Sequence, residues 1–263
     1  MSTKNKFSLR SDNFGGLVAR LQDLAHLSDT VKLKFDSDHL LAYSVVANDA
    51  AVLCLKAYFL PTADYLDGFR ADGLHDLVIA AAPRFVKNLR FFDGCETVRA
   101  EMQARPSHED PSVMHVRSLA LSTPAARGDR LRVNLVGAEL SKIRDLRREV
   151  LAARMDPAKS KWSFSMSGED LASVRRLSTI NSEEKTITLA VDHGCVYVGE
   201  DGKWRLQVAE TDQADTRLTF AKKHLAHIDQ SAAAVEVAVF ETFILVAAAD
   251  SRLLLSFETD FSN

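Results

Sequence analysis

The stretch WSFSMSGEDLASVRRLSTINSEEKTITLAV, residues 162–191, decides how the whole chain is read. Trp162, Phe164 and Met166 alternate with serines, the period-two pattern of a half-buried strand. From Ser167 to Asn181 the apolar positions switch to helical spacing, and at Ile187, Leu189 and Val191 alternation returns. Two hairpin signals follow: His193-Gly194 turns into Cys195 to Val198, and Asp201-Gly202 turns into Trp204, Leu206 and Val208. The expected unit is a strand, a helix and three strands.

Working outward, the same order recurs. Leu218 and Phe220 open a copy with a short helix at Ala221 to Ile228 and strands at Val235 to Val239, Phe243 to Ala248 and Leu253 to Phe257, with Asp250-Ser251 as the last turn. Near the start, Phe7 to Arg10 is a short strand, and Ser11 or Asp12 is positioned to cap a helix with an apolar stripe at Phe14, Leu17, Val18, Leu21, Leu24 and Ala25. Alternation follows at Val31 to Phe35 and Leu41 to Val45, and a third run, Val52 to Leu60, stops at Pro61. After a loop expected over Asp64 to Gly73, Leu74 to Ala80 begins another copy. Its helix has Pro83 in the first turn and Gly94 beyond the end, and strands follow at Thr97 to Met102, Val113 to Leu121 and Arg130 to Val136. The expectation is an α+β chain of four repeats in two domains, residues 1–137 and 162–263. Residues 138–161 form a connector with a basic helix carrying Leu140, Ile143, Leu146, Val150 and Leu151 on one side.

Composition narrows the function. A chain of 263 residues with 46% hydrophobic content holds one large core or two ordinary ones. Its longest apolar runs are far shorter than the roughly 18–20 residues of a membrane helix, and Met1 to Lys6 is polar, so a cytoplasmic location is expected and no membrane partner. Cys54, Cys95 and Cys195 are odd in number and widely spaced, which favours reduced packing residues over disulfides or a zinc site. His224 and His227 have i, i+3 spacing but lack neighbours at ligand spacing to complete a metal site. No phosphate-binding glycine loop, nucleophile or cofactor motif is present, so neither a cofactor nor enzymatic activity is expected. With a net charge of −3, any affinity for nucleic acid has to come from local clusters of cations.

Four such repeats in two domains resemble the DNA polymerase sliding clamps, the family of proliferating cell nuclear antigen and the bacteriophage clamps of the T-even type. Gly168-Glu169-Asp170-Leu171 heading the third helix, with Thr186-Ile187-Thr188-Leu189 after it, is similar to the opening of the second domain of the phage clamps. The first half agrees chiefly in element order, and the connector is longer and more basic than usual. The resemblance implies a DNA clamp fold in which helices line the hole of a ring and sheets form its outside. It implies a homotrimer, because the family ring holds six domains, and a processivity factor, viral in kind, that encircles duplex DNA without reading its sequence. It further implies a DNA polymerase as partner and an ATP-dependent clamp loader that opens the ring. Polymerase tails dock beside the connector in the family, where Leu146, Val150 and Met155 are the candidates here.

A sliding ring needs cations on its inner wall and no base readout. On the second helix Phe85, Val86, Leu89 and Phe92 share one side, leaving Arg84, Lys87 and Arg90 opposite. On the third, Arg176 lies across from Leu171 and Val174 with Arg175 on the flank. On the fourth, Lys223 and His227 are expected outward with Lys222 at the side. The first helix contributes only Arg20, offset by Asp23. A helix's solvent face is charged in any case. Two other readings therefore stand beside the clamp: a β-rich phage structural or assembly protein without a DNA role, and an enzyme whose site is assembled from residues distant in sequence.

Overall fold

The structure, a computed structural model, describes residues 3–48, 52–71, 73–124, 130–134, 155–180, 183–229 and 232–257. The chain divides into two compact units, residues 1–45 with 57–148 and residues 46–56 with 149–263. The basic helix expected in the connector, with Leu146 and Val150, falls outside the described residues. No helix among the described residues is long and apolar enough to cross a membrane.

The class is mixed α+β. Along the first half of the chain the elements are β1 (Thr3–Leu9), α1 (Ser11–Leu27), β2 (Val31–Phe35), β3 (His39–Ala47), β4 (Val52–Pro61, whose residues through Lys56 belong to the second unit), α2 (Thr62–Tyr65), β5 (Leu66–Asp67) and β6 (Leu74–Ile79). They continue with α3 (Ala82–Leu89), a 3-10 turn (Arg90–Phe92), β7 (Val98–Pro106), β8 (Val113–Ser122) and β9 (Arg130–Asn134). The strand order is β3-β2-β6-β8-β7-β1-β5, with β9 beside β8. The apolar stripes of α1 and α3 pack on one face of this sheet, sharing a core with Val31 and Phe35 of β2, Leu77 and Ile79 of β6 and Met102 of β7.

Alternation along β2 sends Lys32 and Lys34 to the other face, where a half-buried sheet would meet water. They are instead 0% and 3% exposed. Lys34 stands opposite Asp76 of β6, whose carboxylate is 4.0 Å from the His115 imidazole. Both faces of this part of the sheet are closed to solvent.

Two local expectations are corrected. Neither Ser11 nor Asp12 caps α1: the helix begins at Ser11 without a side-chain cap, and Asp12 pairs with the Arg10 guanidinium at 3.0 Å. The loop expected from Asp64 holds the end of α2 and the short strand β5, because Tyr65 and Leu66 are buried and Leu66-Asp67 pairs with Leu9-Ser8.

The second unit holds β10 (Trp162–Ser167), α4 (Gly168–Ile180), β11 (Thr186–Asp192), β12 (Cys195–Glu200) and β13 (Trp204–Glu210). After these come β14 (Thr216–Ala221), a 3-10 turn (Lys222–His227), β15 (Ala234–Val239), β16 (Phe243–Ala248) and β17 (Ser251–Ser256). One sheet runs β13-β12-β11-β14, and β10-β15-β16-β17 forms the other. Ser167 and Asp170 close the start of α4 reciprocally: the Asp170 N–H donates to the Ser167 hydroxyl at 3.1 Å, and that hydroxyl donates to the Asp170 carboxylate at 2.6 Å. Gly168 is required there, since a Cβ would lie 2.7 Å from the Ala232 carbonyl. His193 and Gly194 both adopt positive φ, 51° and 78°, in the two-residue turn that joins β11 to β12. The last turn is Ala249-Asp250, one residue earlier than expected, because Ser251 already pairs with Ala248.

The fourth helix differs in kind. Its six residues form a 3-10 turn rather than α-helix, so residues three apart eclipse one another. Lys222 therefore shares a side with the buried Leu225 and Ile228. Lys223 shares the opposite, exposed side with Ala226.

Candidate nucleic-acid interface

In the first unit, Arg84, Lys87 and Arg90 are exposed, and α3 buries Phe85, Val86 and Leu89 on the side away from them. Arg90 Nη2 donates to Gln22 Oε1 of α1 at 2.6 Å, which ties the end of α3 to its neighbour. Arg20 is half-buried and used locally. Its guanidinium donates to the Gly16 carbonyl at 3.1 Å and lies 5.8 and 5.9 Å from the ring centres of Tyr58 and Tyr65. What the helices of this unit offer outward is the α3 triplet.

In the second unit, Arg175, Lys222 and Lys223 line one cleft of about 700 Å3 between α4 and the 3-10 turn, together with Ser178, Thr179 and Lys185. Their freedom differs. Arg175 is half-buried, donates to the Ile228 carbonyl and holds its Nε buried without an acceptor; burial lowers its pKa. Lys222 donates to Glu200 Oε1 at 2.9 Å in a pair whose carboxylate is fully buried. Lys223, Lys185 and Arg176 are exposed. Lys185 escaped the sequence reading because it precedes β11 and stands on no periodic face; only the fold brings it to this cleft.

His227 is half-buried, its carbonyl accepts from the buried Lys56 ammonium, and its ring centre is 6.0 Å from that of His224. Burial, followed by the nearby charges of Lys223 and His227, pushes the His224 pKa down to about 4, so this ring is neutral at pH 7. The expected outward direction of His227, and the place of Lys222 at the side, give way to packing that the shorter helical repeat dictates. Met155, 3% exposed, is packed in the second unit.

Among the described residues, two groups of carboxylates and histidine come close enough for a metal, and partners within the protein account for both. Asp36 Oδ1 accepts from the Asp38 and His39 N–H groups at 2.9 Å, and Asp192 accepts from Arg205 at 2.7 Å while pairing with His193. The three cysteines are free thiols, and burial pushes Cys54 up to about 12.

No family model matches this chain, and no curated protein matches it. The geometry accordingly carries the functional argument. Exposed cations stand on helical faces opposite apolar cores in both units, in a chain that is acidic as a whole. Such faces attract phosphate without shape or donor patterns that would distinguish bases.

Proposed function

We propose that the chain is one protomer of a sliding clamp. Three copies close into a ring around duplex DNA and tether the replicative polymerase, and an ATP-driven loader opens the ring. The observation that carries this reading is the sidedness of charge: Arg84, Lys87, Arg176 and Lys223 are exposed on helical faces while the net charge is −3. The fourfold recurrence of strand, helix and three strands fits the DNA clamp fold.

Free sheet edges support self-association. Among the described residues β9 pairs only with β8, and β13 ends the four-stranded sheet with Trp204, Leu206 and Val208 half-exposed. An edge of this kind is a template for another chain. In the proposed ring each edge meets one from the next copy, so the sheets continue around the outside.

The test replaces the exposed cations and spares Arg90 and Lys222, which have structural partners. Arg84→Glu, Lys87→Glu, Arg176→Glu and Lys223→Glu together are expected to leave a trimeric native mass and abolish loader-dependent processivity. Removing four phosphate contacts from each protomer should also flatten the dependence of log affinity on log salt by about 3.6 for every protomer in contact with the DNA, at about 0.9 per contact. A stable monomer, or processivity indifferent to the four changes, overturns the reading.

A further inference from the structure

The 3-10 turn that continues α3 carries one side chain that a wall for duplex DNA has no use for. Phe91 is 80% exposed although Phe92 beside it is buried. At about 100° per residue through α3 and about 120° per residue through the 3-10 turn, Phe91 falls about 20° from Arg84 and about 80° from Lys87 around the axis, so the ring stands in line with Arg84 and Lys87 lies on its flank. The Arg90–Gln22 hydrogen bond of 2.6 Å holds this turn against α1, which makes the ring part of an ordered surface.

We propose that this face binds single-stranded DNA, with Phe91 as a stacking platform and Arg84 and Lys87 on the flanking phosphates. The inference rests on the nucleic-acid reading of the same face. In a duplex the faces of the bases are occupied by their neighbours and only sugars and phosphates meet the protein, so an aromatic ring gains little. A single strand offers free base faces, and stacking one of them on an aromatic side chain is worth roughly five- to a hundredfold in affinity. The dimensions agree. Arg84 and Phe91 are about 11–12 Å apart along the axis, between three and four steps of a stacked strand at about 3.4 Å each. Ile180 supplies an internal control: it is 76% exposed and one turn beyond Arg176 on α4, but its aliphatic side chain has no π face.

The experiment measures anisotropy of the full chain with a labelled oligothymidylate and with a hairpin duplex of equal phosphate count, both at low salt. The native protein is expected to prefer the single strand. Phe91→Ala should lose about tenfold on the single strand and less than about twofold on the duplex, Phe91→Trp should retain binding, and Ile180→Ala should change neither. Arg84→Glu with Lys87→Glu should weaken both. Equal losses on the two DNAs, or none, overturn the proposal. Native mass separates it from the ring: a trimeric, processive chain indifferent to Phe91 sinks only this inference, and a monomer whose single-strand binding needs Phe91 keeps it and sinks the clamp.

Discussion

His224 shows how one side chain sets a response to pH. It is 5% exposed, its Nδ1 has no hydrogen-bond partner, and its pKa is lowered to about 4 by burial first and by Lys223 and His227 next. Unfolding restores the ordinary value of about 6.5. Between those values the unfolded chain takes up a proton that the folded chain refuses. Stability is therefore fully present above about pH 6.5 and falls as pH drops toward 4, by on the order of 3 kcal/mol at most. Urea midpoints at pH 7 and pH 5 should diverge for the native protein and converge for His224→Leu. Equal divergence in both would refute the assignment. The sequence supplied the i, i+3 spacing of His224 and His227 but not their environment, which depends on burial against residues far along the chain.

At the scale of elements, the strands and hairpins were legible because their signals are local. Alternation at Trp162, Phe164 and Met166 and the His193-Gly194 turn need no tertiary partner to be recognised. The basic side of α3 was legible for the same reason, since Phe85, Val86 and Leu89 fix the buried face at helical spacing. The fourth helix was not, because six residues carry too few turns to reveal whether the repeat is 3.6 or 3.0. That choice determines where Lys222 points, and Glu200, its partner, is 22 positions away. The consequence is measurable. Lys222→Met should cost about 3–5 kcal/mol by leaving the Glu200 carboxylate buried alone, and adding Glu200→Leu should recover most of it. Lys223→Met should change stability by less than about 0.5 kcal/mol. Chemical denaturation of the three variants checks the set; equal small losses at both lysines would mean the turn presents them alike.

For the whole molecule, the division into units was only partly visible from sequence. Residues 46–56 belong with the second unit although they precede most of the first, and no proline, glycine or shift in composition marks that change inside Val52–Pro61. Only contacts made at long sequence separation decide it, as when the Ser256 hydroxyl donates to the Val52 carbonyl. The charged row behind the first sheet was invisible for a related reason, since alternation distinguishes two faces without saying whether both are covered. Lys32 and Lys34 are sealed from water at 0% and 3% exposure, and Lys56 of the second unit is likewise buried at 1%. An amine-reactive acylating reagent should thus mark Lys87, Lys185 and Lys223 on the native protein and pass over these three. Lys32 and Lys34 lie in one unit and Lys56 in the other. Followed by peptide mass across a denaturant series, their labelling becomes a pair of built-in clocks that tell whether the two halves of the protein melt as one or in turn.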